Sequence, residues 1–262
     1  MPDTLRVSRN DTIVADADGT LFRARPAART ISRLDAAGVA VWTIGSYGKG
    51  PGQFDYPAQL VADPRGRVLV VDRGNARIQI LDAATGRYLG QFGSPGTALG
   101  QFRHPRRIAA ASDRIYVADQ LNHRVGVFAT DGTPLFAIGH AGTEPSDLDA
   151  PSGVAVAADG RVYVPDAQRR GIKRFSADGT FEARVDGGNV KDRHGLALDA
   201  LGRLWVADGY AGRVVALTPE GAAAQAIPAR LAAGRSAAPH DIALAGRDIY
   251  VRAADNGPAR SA

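Results

Sequence analysis

The pattern of apolar and polar positions in this chain is dominated by one recurring stretch. Its clearest copy is Val68-Leu69-Val70-Val71-Asp72-Arg73-Gly74-Asn75-Ala76-Arg77-Ile78-Gln79-Ile80-Leu81-Asp82. An apolar run ends in aspartate, a short polar turn follows, and an arginine opens a second apolar run. The same order returns as Ile115-Tyr116-Val117-Ala118-Asp119 with Arg124-Val125-Gly126-Val127-Phe128. It returns again as Val162-Tyr163-Val164-Pro165-Asp166 with Ile172-Lys173-Arg174-Phe175, and as Leu204-Trp205-Val206-Ala207-Asp208 with Arg213-Val214-Val215-Ala216-Leu217. Short runs rich in Val, Ile and Tyr, bounded by Asp, Gly and Asn, predict strands joined by tight turns.

The four aspartates lie 47, 47 and 42 residues apart. A period of about 45 residues built from short β-rich runs is the spacing of a propeller blade and not of a helical solenoid. The expected fold is therefore all-β: one six-bladed β-propeller over residues 1–262, with blades at 11–45, 58–93, 106–139, 152–186, 194–228 and 240–262 plus 3–9. The last blade reads short. Asp241-Ile242-Ala243-Leu244 and Ile249-Tyr250-Val251 supply two strands, and Leu5 to Val7 is the expected donor of another. Sharing a strand between the ends of the chain removes the open edges at the seam. Before blades two, three and four stand related linkers, Gly48 to Pro57, Gly96 to Pro105 and Gly142 to Pro151. Their single large apolar residue (Phe54, Phe102 or Leu148) is expected to plug the gap between neighbouring blades.

Bulk properties narrow the reading further. The 31 glycines and 15 prolines suit a turn-rich chain, and the 45% hydrophobic fraction is that of a globular one. The absence of cysteine excludes disulfides and thiolate metal sites. No apolar run reaches the ~18 residues of a membrane helix. The polar start Met1-Pro2-Asp3 lacks the apolar core of a signal peptide, which implies a cytoplasmic protein, or a secreted one if a leader has been removed. The net charge of +5 and pI of 9.8 come almost wholly from arginine. Alanine, arginine and glycine rising together fit a GC-rich bacterial coding sequence. The sharper reading is an anion-binding face, RNA included. Asp72, Asp119 and Asp208 stand beside the turn arginines and offset their field, so tight RNA binding is not expected.

Three groups of residues carry candidate chemistry. The pairs Asp72 and Arg77, Asp119 and Arg124, and Asp208 and Arg213 each sit five positions apart across one turn. Their recurrence in several blades argues for ion pairs that hold the scaffold. The first residues of the innermost strands crowd one mouth of the central channel. Aligning the repeats puts Asp11, Ala58, Arg106, Ser152, His194 and His240 at equivalent places. His194, His240 and Asp11 then fall in successive blades of a closed ring, and two imidazoles with a carboxylate suit one divalent metal, Zn, Fe or Mn. Asp241 would orient an imidazole or add a ligand. His104 with Arg106 and Arg107 forms a basic cluster that reads either as a solvated loop or as a contact for a substrate carboxylate. His123 and His140 read as loop residues.

The repeats resemble the NHL family. Pro151-Ser152-Gly153-Val154-Ala155-Val156, Asp159-Gly160-Arg161-Val162-Tyr163-Val164 and Ile138-Gly139 carry the likeness. It implies a six-bladed propeller but no single function, because such propellers include RNA binders, protein scaffolds and an enzyme class. Arg193-His194-Gly195-Leu196-Ala197-Leu198-Asp199 and Pro239-His240-Asp241-Ile242-Ala243 are also similar to histidine-bearing segments of peptidylhydroxyglycine amidating lyases. Those propellers hold zinc on three channel histidines. Asp208-Gly209-Tyr210 resembles their catalytic-tyrosine turn, which makes Tyr210 a candidate base. Two of the three histidines are matched here, and Tyr210 shares a blade with His194, unlike the family. The leading expectation is a recognition scaffold for protein or peptide at the channel mouth. A metal-dependent lyase or hydrolase is the alternative, with a small-molecule substrate, and RNA binding comes third.

Overall fold

The computed structural model describes residues 4–8, 11–16, 18–168, 171–185, 190, 195–199, 201–229, 237–245 and 248–255. The first strand, β1 (Thr4–Ser8), precedes five four-stranded antiparallel sheets. Blade one is β2 (Thr12–Ala15), β3 (Leu21–Arg25), β4 (Thr30–Leu34) and β5 (Ala40–Ile44). Blade two is β6 (Pro57–Asp63), β7 (Arg67–Asp72), β8 (Arg77–Asp82) and β9 (Tyr88–Phe92). Blade three is β10 (Pro105–Ala110), β11 (Arg114–Asp119), β12 (Arg124–Ala129) and β13 (Pro134–Ile138). Blade four is β14 (Ala155–Val156), β15 (Val162–Asp166), β16 (Gly171–Phe175) and β17 (Phe181–Val185). Blade five is β18 (Leu196–Leu198), β19 (Leu204–Asp208), β20 (Arg213–Leu217) and β21 (Ala223–Pro228).

The last sheet corrects the expectation of six blades. β22 (Ala237–Ala245) and β23 (Asp248–Asp255) are joined by β1, in the order β1-β23-β22. Its described residues form three strands, so the propeller has five four-stranded blades and a smaller closing sheet. β1 pairs with β23 in parallel, from Thr4 opposite Asp248 to Ser8 opposite Arg252. β1 ends at Ser8 and β2 begins at Thr12, so the segment passes directly from the closing sheet into blade one. The innermost strands touch in a ring: β2 with β6, β6 with β10, β10 with β14, β14 with β18, β18 with β22, and β22 with β2.

The core lies between sheets, and strand alternation explains why. One face of a blade packs on the blade before it and the other on the blade after it, so both faces of the middle strands are apolar. In β7, Val68 and Val70 join Phe22 and Ile31 of blade one, whereas Leu69 and Val71 join Ile115 and Val117 of blade three. The linker plugs behave as expected. Phe54, Phe102 and Leu148 are buried in the successive inter-blade clusters. Phe102 also packs on Phe128 at a ring separation of 5.5 Å. Each such side chain contributes roughly 1.5–3 kcal/mol by leaving water.

Antiparallel order sorts the loops. The starts of the innermost strands, the turns between second and third strands, and the linkers between blades share one end of the ring, the mouth face. The remaining turns share the rear face.

Candidate functional site at the channel mouth

The repeated aspartates build the rim of the mouth. Asp72 is fully buried; its Oδ1 accepts the Asp55 N–H at 2.8 Å, and its Oδ2 accepts Asn75 and the Arg77 Nε–H, each at 2.8 Å. Arg77 spends its other N–H groups on the carbonyls of Lys49, Gly50 and Gln53. The pair therefore clamps the preceding linker onto its blade. Asp119 repeats the device with the Arg103 N–H, Asn122 and Arg124, whose Nε lies at 3.7 Å. Arg124 reaches the carbonyls of Ala98 and Gln101. In blade four Lys173 takes the arginine's place, 3.3 Å from Asp166 and bonded to the Asp147 carbonyl. Asp208 and Arg213 pair at 3.2 Å. Burial pushes the Asp119 carboxyl up to about 6, against the hydrogen bonds that favour its charge. Blade one reverses the arrangement: Arg25 stands at the aspartate's place, and its Nε lies 3.3 Å from Asp11 Oδ2.

The strand openings hold a feature that the sequence pattern hides. Pro57 pairs with Asp72 and Gln59 with Val71, so Ala58 is an extra residue, a β-bulge. Arg106 and His240 are the bulged residues of β10 and β22 by the same criterion. Three of the aligned positions are thus structurally equivalent, as expected. A bulge re-aims the next side chain along the strand, and the residue after each one engages a different innermost strand. Gln59 Oε1 accepts the Ile108 N–H at 2.7 Å. Arg107 reaches further. Its Nη1 donates to Asp241 Oδ1, and its Nη2 donates to the His240 carbonyl at 2.8 Å.

Arg107 lies in blade three and Asp241 in the closing sheet, which stand on opposite sides of the ring. The ion pair therefore spans the channel. Both side chains are only 7% exposed. Asp241 Oδ1 also accepts the Ile242 N–H at 2.9 Å, whereas the buried Oδ2 has no hydrogen-bond partner among the described residues. Beside it, a Cβ on Gly195 would stand 2.7 Å from the Asp241 Cα, so only glycine lets β18 approach β22 this closely.

The other sequence candidates fall in several places. His194 lies outside the described residues. Asp11 is engaged with Arg25, and the His240 carbonyl is engaged with Arg107. Among the described residues no group of three or more His, Asp or Glu is arranged to hold a metal ion. His104 Nδ1 is 2.9 Å from Gln120 Oε1; burial first, and then the charge of Arg73, hold its imidazole below the usual range. Tyr210 is 74% exposed on the turn between β19 and β20. His123 and His140 lie on a turn and a linker of the mouth face, near Asp149 and Asp147. Tyr56 and Leu121 are exposed on the same face, and the repeat pattern did not single them out; their position beside each buried aspartate was the available signal.

Comparison with known proteins agrees with this architecture. The NHL repeat family matches residues 54–81 and 102–128. Human NHL repeat-containing protein 3 is 34% identical over 131 residues, covering 49% of this chain and 34% of that protein. Protein brain tumor of Drosophila melanogaster is 28% identical over 139 residues, covering 52% of this chain and 13% of that protein. The matches thus span about a third or less of these relatives' lengths. A streptogramin B lyase structure superposes with a TM-score of 0.68 at 19% identity, over 96% of this chain and 77% of that one. A chain of a nidogen/laminin complex gives 0.66 at 15% identity, over 92% and 84%. At these identities the likeness is one of fold. No helix among the described residues is long and apolar enough to cross a membrane. The chain contains NHL repeats, matched at residues 54–81 and 102–128, and the domain they build is an all-β propeller.

Proposed function

We propose that this propeller is a recognition scaffold that binds protein or peptide on its mouth face. The observation that carries the reading is the division of labour there. The axis of the mouth is spanned by Arg107 and Asp241, while Tyr56, Leu121 and Tyr210 project from the surrounding loops at 42%, 50% and 74% exposure. Aromatic and aliphatic anchors on loops held by buried ion pairs are the make-up of a binding hot spot on a rigid support. The relatives lean the same way. One is named an E3 ubiquitin-protein ligase, NHLRC1 of Mus musculus, 30% identical over 164 residues, and one structural neighbour comes from a nidogen/laminin complex.

The test is selection from a random peptide library displayed on phage. Selected peptides should bind the Leu121→Ser/Tyr210→Ser variant at least about tenfold more weakly, and Leu201→Ser on the rear face without change. Peptides that lose affinity only on the rear-face variant, or a library that yields no binder, would sink the reading.

A further inference from the structure

The mouth face is not uniform in charge, and its polarity names a partner. In the rim clamps Asp72 cancels Arg77 and Asp119 cancels Arg124 within the fold. What remains over blades two and three is Lys49, Arg73 and Arg103 against Asp55. The equivalent linker before blade four, residues 139–151, carries Glu144, Asp147 and Asp149 and no lysine or arginine. One sector is basic and the next acidic, on the same rim.

The basic sector is also organised. The Arg73 N–H donates to the Tyr56 carbonyl at 3.2 Å, and the Arg73 guanidinium lies over the Tyr56 ring, 4.0 Å from its centroid. Stacking fixes the guanidinium plane while leaving its N–H edge in position for a carboxylate. Arg29 covers the Tyr47 ring in the same manner at 4.8 Å, on the same linker. Tyr47 is 68% exposed and Lys49 is exposed beside it. Planar cations held on aromatic rings favour paired, bidentate acceptors. They disfavour nucleobases, which need open ring faces to stack upon, whereas one face of each tyrosine here is already covered.

We propose that the sector formed by Tyr47, Lys49, Tyr56, Arg73 and Arg103 binds an acidic peptide segment, with its carboxylates on the arginines. The inference rests on the scaffold reading above and narrows it to a partner chemistry. The adjoining acidic sector at Glu144 and Asp149 fixes the direction in which such a segment lies, because carboxylates are repelled there.

The experiment uses the whole chain and a fluorescein-labelled Glu/Tyr peptide, read by fluorescence anisotropy. Its Gln/Tyr counterpart and a single-stranded oligothymidine serve as competing probes. Arg73→Gln/Arg103→Gln should weaken the Glu/Tyr peptide about tenfold or more. Arg65→Gln/Arg87→Gln, which removes the same charge from the rear face, should weaken it less than about twofold. Equal losses in the two variants would reduce the effect to bulk charge and overturn the proposal. Equal binding of the Gln/Tyr peptide would overturn it too, as would oligothymidine binding tighter through the same arginines. If library-selected peptides bind the mouth face while the Glu/Tyr peptide does not, the acidic partner falls and the scaffold stands. If neither binds, both readings fall. An unchanged urea midpoint for each variant certifies that it is folded.

Discussion

Breaking the cross-channel ion pair from one side should be far more damaging than removing it whole. In Arg107→Met the Asp241 carboxylate stays buried; among the described residues Oδ1 keeps the Ile242 N–H alone and Oδ2 has no partner, and the His240 carbonyl loses the Arg107 donor. An uncompensated buried charge of this kind costs about 3–5 kcal/mol. Arg107→Met/Asp241→Leu removes both charges and keeps most of the volume, so its cost should fall to roughly 0–2 kcal/mol. Asp241→Leu alone leaves the Arg107 guanidinium buried without its carboxylate and should cost a similar amount, so the double-mutant cycle should give a coupling of at least about 2 kcal/mol. Arg106→Met, one position earlier on the half-buried bulge, should cost under about 1 kcal/mol. Urea unfolding followed by tryptophan fluorescence reads the parent, both single variants of the pair, the double variant and Arg106→Met. Trp205 is a good reporter, being 1% exposed and packed in the cluster between blade five and the closing sheet. An Arg107→Met protein within about 1 kcal/mol of the parent would refute the strut. Additive losses in the double variant would do so as well, because they would mean that the two groups act separately.

The closing sheet and the rim give two more expected outcomes. Deleting residues 1–9 removes the five-residue β1 ladder on β23 and bares that edge, so the melting temperature should fall by the equivalent of several kcal/mol, at ~1 kcal/mol per ladder bond; an unchanged melting temperature would contradict the shared closure. Asp119 titrates near 6 when folded against 3.8 as its ordinary value, so the folded state binds the extra proton between those limits and loses stability as pH rises through them. The stability of the parent relative to Asp119→Asn should therefore be highest near pH 4 and drop by roughly 2–3 kcal/mol by pH 7. A difference that stays flat across that range would show that the carboxyl is not perturbed.

The sequence by itself determined the local and repeating parts of this protein. Asp72, Asp119, Asp166 and Asp208 announce the period, and the first three clamp the preceding linker onto the blade. Phe54, Phe102 and Leu148 stand out as lone large apolar residues in glycine-rich linkers, and they are the inter-blade plugs. Such features are legible because their partners lie within one repeat or its neighbour. The closing sheet was legible only in part. The spare Leu5–Val7 segment does join β23, but whether three or four strands assemble depends on chain available in space and not on pattern. Arg107 and Asp241 were each legible as candidates at the channel mouth, but their pairing was not. Alignment of the repeats gave weight to Arg106 and His240, yet each is a bulge, and the side chains that cross the ring belong to Arg107 and Asp241. A single inserted residue changes which side chain points inward, and nothing in the repeat pattern marks it. Arg107 and Asp241 are 134 residues apart. Only closure of the ring places blade three opposite the last sheet, and so only the tertiary structure decides that the two charges meet.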